Sequence, residues 1–176
     1  TFTADDTNVS AGATVVSYDS GVGGLTPTVP ATVTIGANTY AVTAIGDNAF
    51  KNESITSVTL NDAIITIGVS AFQNNSLTAL TLPANIAAIS DQAFNNNSLA
   101  SVDLPDTVIT IGERAFQNNN LVSLTLPNGV TTIGDRAFFG NQLSIVVFPA
   151  TVTSIGVRAF KEAAAMTDVV FLGAAP

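Results

Sequence analysis

The chain has 176 residues, of which 47% are hydrophobic and 10% charged, with a formal net charge of -8; this supports one folded core and argues against disorder. It contains no Cys, His or Trp, which excludes a thiolate or imidazole nucleophile–base pair, a zinc site of the usual kind and a disulfide-stapled scaffold. The acidic balance excludes the basic footprint of a nucleic-acid or anionic-membrane binder, and no apolar run approaches the roughly 20 residues that span a bilayer.

Residues 1–41 carry no period and read as an N-terminal capping region. In TVTIGANTYAV, Val33 and Ile35 alternate with Thr, residues 36–38 supply turn formers, and Tyr40 and Val42 resume the alternation. That pattern predicts a β-hairpin. It lands inside the first repeat, where Val42 takes the row of Ile64 and Ile86, and it would cover the open end of a stack. Two candidate sites here lack what their chemistry needs. SGVGGLTP has no Gly-Lys-Ser/Thr and opens no helical pattern, so a phosphate loop is not expected. Asp5 and Asp6 are not followed by the Asp-x-Asp-x-Gly run of a calcium loop. No metal and no cofactor is expected. The opening TFTADDTNVS has neither the basic nor the apolar region of a secretory leader, which is compatible with a leader cleaved beforehand.

From residue 42 a strict repeat begins. Phe50, Phe72, Phe94, Phe116, Phe138 and Phe160 follow one another at a step of 22, each preceded by Ala. Ile45, Ile67, Ile89, Ile111, Ile133 and Ile155 keep the same step, and Gly follows each except where Ser90 stands. A second block follows each Phe, as in LTALTLP, where Leu77, Leu80 and Leu82 are apolar and Pro83 closes the segment. A fixed period of this length with L-x-x-L-x-L indicates a leucine-rich-repeat solenoid. Leu80 and Leu82 alternate, so a short strand turns them inward and leaves Ala79 and Thr81 outward. The Pro ends the strand. A second short strand is expected at V-T-T-I-G, residues 130–134, and one helical or 3₁₀ turn at D-R-A-F. Stacked copies would align each position into a continuous apolar ladder.

Asn recurs just before the strand, at Asn74 and Asn75, at 95–97, at 118–120 and at Asn141. Fixed spacing favours an asparagine ladder whose amides bond backbone groups left open at a tight corner. An amide surface for a ligand is the other reading.

LTLPNGVTTIGDRAFFGNQL resembles the BspA-like leucine-rich repeats of bacterial and protist surface proteins. The resemblance runs from residue 42 to about 172. Where many members of that family carry Cys, this chain has Asn75, Asn97, Asn119 and Asn141. The resemblance implies a secreted or cell-surface binding module, often linked to adhesion, and no enzyme.

Near the end the spacing slips: Phe160 to Met166 is six residues where Phe138 to Leu143 is five. MTDVVFLGAAP reads as a variant strand with Phe171 in the Leu row. The organisation expected is a cap over 1–41, repeats over 42–172 and an exit segment over 173–176. The fold class expected is a leucine-rich-repeat solenoid: a right-handed, horseshoe-like coil with a parallel β-sheet on the concave face, short strands and 3₁₀ or helical turns elsewhere, and the hairpin cap.

The outward strand positions are the natural binding surface of such a fold. One column runs Thr59, Thr81, Asp103, Thr125, Val147; its neighbour runs Ser57, Ala79, Ser101, Ser123, Ile145. They lack the Trp, Tyr and Arg of interface hot spots, so either a partner is bound weakly and multivalently or this face mainly keeps the sheet soluble. Ile145 and Val147 make one end more apolar, and Phe139 is an aromatic outside the ladder. Arg114, Arg136 and Arg158 form a column beside Glu113 and Asp135, read as a solvated edge of alternating charge; a basic strip for an acidic partner is the other reading. Asp103 and Asp106 are close in sequence, but acid–base work needs a cleft. The function expected is a non-catalytic protein-interaction or adhesion module of a secreted or cell-surface bacterial protein. It would be a monomer binding a protein, extracellular-matrix or host-surface ligand. A structural spacer in a larger surface protein is the alternative. Ice binding is a remote third, its Thr row being broken by Asp103 and Val147.

Overall fold

The computed structural model describes residues 2–5, 12–163 and 166–173. The N-terminal region is more elaborate than a hairpin. Strands β1 (Phe2–Asp5) and β2 (Ala13–Tyr18) pair antiparallel, and β2 runs parallel to a longer strand that enters the first repeat. The Gly-rich segment forms a four-residue helix, α1 (Ser20–Gly23), whose first turn is capped by the Asp19 side chain. Among the described residues it is the one helix. The expected hairpin follows as β3 (Thr32–Ile35) and β4 (Asn38–Ile45). Its turn is one residue tighter than expected. Ile35 pairs with Asn38, leaving Gly36 and Ala37 as the connection. Gly36 has φ of 62°, a conformation that glycine takes without a steric cost.

Beyond β4 the chain coils. The pairs that end on the Ile row, Thr-Ile in three of five coils, form β5 (Thr66–Ile67), β6 (Ala88–Ile89), β7 (Thr110–Ile111), β9 (Thr132–Ile133) and β11 (Ser154–Ile155). β4 pairs with β5, and β6, β7, β9 and β11 form a parallel ladder in register, Ile on Ile. The Leu row supplies the second sheet: β8 (Leu124–Thr125), β10 (Ile145–Phe148) and β12 (Asp168–Phe171), also parallel. Towards the N-terminus this row thins to isolated bridges, Thr28 with Thr59 and Thr81 with Asp103. The regular sheet therefore lies on the Thr-Ile row, and the Leu-row sheet is complete over its last three strands only.

The core is the set of aligned rows. Tyr18, Phe50, Phe72, Phe94, Phe116, Phe138 and Phe160 form one stack, with ring centroids 4.7–5.5 Å apart. That spacing is close to the strand separation in a sheet, because each coil is one strand above the last. Interplanar angles within the Phe series are 4–16°, and such offset-stacked pairs contribute about 0.5–1.5 kcal/mol beyond burial. The far end closes on Phe148, which meets Phe160 edge-on and stacks on Phe171. Phe171 thus sits in the expected Leu row, partnered but partly exposed.

The turn after each Gly differs from the helical or 3₁₀ turn expected. Two i→i+3 bonds are present, Ala71 N–H to Gly68 O and Gln73 N–H to Ser70 O. Between them Ser70 lies at φ of 56°, which breaks a right-handed helix. Asn48, Gln92, Arg114, Arg136 and Arg158 repeat this at the same register. A second left-handed column follows at Asn52, Asn74, Asn96, Asn118, Gly140 and Glu162. Asn and Gly are the residues that tolerate this region, which explains most of that column's composition.

The Gly that follows the Ile in the other coils has a contact reason. A Cβ at Gly68, Gly112 or Gly156 would come within 2.7 Å of the backbone and Asp side chain of the preceding coil. Those acids, Asp47, Asp91 and Asp135, accept the amides of Val69, Glu113 and Val157. Ser90 takes this place in one coil, and its hydroxyl donates to Ile67 O.

Candidate functional site

Alternation along the Leu row decides which side chains are available. Leu80, Leu82, Val102, Leu124, Leu126, Val146 and Phe148 are buried. All ten outward residues, Ser57, Thr59, Ala79, Thr81, Ser101, Asp103, Ser123, Thr125, Ile145 and Val147, are exposed. They lie on neighbouring coils in parallel register where the ladder is formed: Thr81 beside Asp103, Thr125 beside Val147, and Val147 beside Val170. The two columns form one surface.

That surface is not smooth. Three hollows follow one another along it, of about 270, 240 and 330 Å³. Thr59, Asp62 and Thr81 line the first, Thr81 and Asp103 the second, and Ser101, Asp103, Asp106, Ser123 and Thr125 the third. Adjacent hollows share wall residues, so together they make a groove where each strand meets its closing Pro. Small side chains leave the room. Pro83, Pro105 and Pro127 close the strand segments and line the hollows.

Asp103 and Asp106 line the same hollow, and both are exposed. Asp62 was not singled out from sequence. It stands two coils before Asp106 at the same register, a relation visible only when the 22-residue columns are extended past the Pro. None of the five Lys and Arg residues lies on the ten outward positions or lines any of these three hollows. Lys51, Arg114, Arg136, Arg158 and Lys161 all occupy the turn between the Thr-Ile strand and the Asn corner. There Arg114 pairs with its neighbour Glu113 at 2.7 Å, an exposed contact worth about 0–1 kcal/mol. Phe139 also stands at this corner, half-buried, and not in the Ile145 or Val147 column.

The far end of the face is apolar. Ile145 is 47% and Val147 39% exposed, and Val170 extends the patch at 42%. Asp5 lies in β1, while Asp6 lies outside the described residues, as do residues 174–176 of the exit segment. Among the described residues no group of three or more acidic, His or Cys side chains is placed to hold a metal. No described helix is long and apolar enough to cross a membrane.

The Asn corner is structural. Asn97 Nδ2 donates to Phe72 O and Phe94 O, at 2.9 and 3.2 Å, and its Oδ1 accepts the Leu77 amide at 3.0 Å. Asn75, Asn119 and Asn141 repeat the same three bonds. A second, exposed ladder links the amides of Asn52, Asn74, Asn96 and Asn118.

These rows, two parallel ladders and an Asn-fastened corner define a leucine-rich-repeat β-solenoid. More narrowly, the chain belongs to the BspA type leucine rich repeat family, whose repeat matches in six copies over residues 43–167. Solved structures agree. A leucine rich cell surface protein from Faecalibacterium prausnitzii is 27% identical, with a TM-score of 0.65 over 98% of this chain and 53% of its own. The pneumococcal vaccine antigen PcpA shares the fold at 22% identity and a TM-score of 0.71, over 89% of this chain and 44% of its own. A leucine-rich repeat protein from Bacteroides ovatus does so at 23% and 0.56, over 96% and 39%. The chain thus spans about half or less of the length of these neighbours. No curated protein matches it.

Proposed function

We propose that this chain is a non-catalytic protein-interaction module that binds through the Leu-row face. The observation that carries this is the run of three hollows lined by small outward side chains on successive coils. A groove of this kind suits an extended segment of another protein, held by many small contacts and not by one deep pocket. The missing cations and the carboxylates of Asp62, Asp103 and Asp106 favour a partner segment that is neutral or basic. Exposed Ile145, Val147 and Val170 add an apolar foothold at one end. A place at the cell surface or outside the cell is supported by likeness to the Faecalibacterium surface protein, and an adhesive role toward host or matrix protein follows from that reading.

A paired substitution, Ile145→Asp with Val147→Asp, tests it. Both side chains are exposed, so the fold should survive. Retention on a surface coated with extracellular-matrix proteins should fall. Unchanged retention, or none by the parent chain, would favour a spacer instead.

A further inference from the structure

Asn128 and Gly129 form the single Asn-Gly pair of the chain. They occupy the exposed turn after Pro127, closed by the Val130 amide donating to Pro127 O at 3.1 Å. Asn128 is exposed, and among the described residues its amide side chain makes no hydrogen bond. The Gly129 amide likewise has no acceptor among the described residues. Without a Cβ at Gly129, the nitrogen is unshielded toward the preceding side chain. From this juxtaposition we propose that Asn128 is a site of spontaneous deamidation in the folded protein.

The step balances as an amide exchange followed by hydrolysis. The Gly129 nitrogen gives its proton to solvent base and attacks Asn128 Cγ. A new C–N bond closes a five-membered imide, and the Cγ–Nδ2 bond breaks to release ammonia. Water then opens the ring at either carbonyl, giving Asp or isoaspartate. No oxidant, metal or cofactor is consumed.

Two Asn residues precede a Ser, Asn75 before Ser76 and Asn97 before Ser98. Their amides are the inner corner ladder, held by backbone partners on both nitrogen and oxygen. The fold therefore protects them and leaves Asn128 open. The product matters for both surface and coil. Asp at this position adds a carboxylate one coil beyond Asp106 in the Asp62 column. Isoaspartate lengthens the main chain by one methylene where Thr151 Oγ1 bonds both Asn128 O and Val130 O, at 2.9 and 2.7 Å.

The test is incubation of the full chain in mildly alkaline buffer, with peptide mapping by a fragmentation method that separates isoaspartate from Asp, and with measurement of released ammonia. Asn128 should convert, and Asn75 and Asn97 should do so about a hundredfold more slowly, since they need local opening first. In urea the three rates should approach one another. Gly129→Ala should slow conversion severalfold; its Cβ would lie 3.3 Å from Asp106 O, a tight but tolerable fit. Asn128 remaining an amide in the folded chain while converting in urea overturns the proposal. That comparison decides even if the variant fails to fold.

Discussion

The ring of Tyr18 lies 5.1 Å from the ring of Phe50, at 28° between planes. The cap thereby supplies the first rung of the aromatic stack, and its hydroxyl is fixed by a 2.8 Å bond to Gly24 O. A solenoid core has two raw ends, and an aromatic ring continued from the cap removes one of them from water.

Interior rungs should carry the most stability. Phe94 is fully buried between Phe72 and Phe116. Phe94→Ala should cost about 3–5 kcal/mol, read as a lower urea midpoint. A loss under about 1 kcal/mol would mean that the coils collapse into the gap and that the stack adds little.

Titration of Tyr18 gives a pH signature. Burial raises its pKa above the usual tyrosine value, with the charges of Glu53 and Asp19 adding in the same direction. A raised folded pKa means that the folded chain holds this proton longer. The contribution is fully present below the unfolded value of about 10 and is lost as pH climbs through the folded one. Thermal melts across this alkaline range should show that decline, and Tyr18→Phe should flatten it. An identical decline in the variant would assign it elsewhere.

The two Asn ladders should differ sharply. Asn97→Ala strands the buried Leu77 amide and strips a donor from two carbonyls, at about 2–4 kcal/mol. Asn96→Gly loses only exposed amide bonds and suits the left-handed backbone, so its effect should stay within about 1 kcal/mol. Denaturant curves of the two variants check the contrast.

Arg136 holds φ of 53°. A non-glycine residue there costs about 1–2 kcal/mol, and glycine costs about 0.5–1 kcal/mol in lost chain freedom. Arg136→Gly should therefore raise stability by about 0.5–1 kcal/mol. A destabilised variant would show that the guanidinium makes contacts that outweigh the strain.

Much of this was legible because a period converts sequence into columns. The Phe and Ile rows, the inner Asn corner and the ten outward positions all follow from one 22-residue step and the alternation of a strand. What escaped was whatever the period does not govern. Leu25 contacts Thr56 across 31 residues, because the hairpin is inserted between them; the same insertion hid Tyr18 as a rung. Those early contacts make residues 25–29 a degenerate first coil, with Val29 buried. The left-handed turns were visible only where Asn or Gly stood, and Arg114, Arg136 and Arg158 gave no such signal. Strand pairing on the Leu row also depends on how closely successive coils approach, which composition does not encode. The groove needed the third dimension, since Asp62 and Thr81 line one hollow from different coils.

The most direct measurement is binding by a variant that fills the groove at its middle, Thr81→Arg with Thr125→Arg, beside an edge variant, Arg114→Ala with Arg158→Ala. Each is tested by surface plasmon resonance against a panel of extracellular-matrix proteins. The parent and the edge variant should bind a common partner, and the groove variant should lose at least about tenfold in affinity, roughly 1.4 kcal/mol. Equal binding by the groove variant, or loss confined to the edge variant, would contradict binding through this groove.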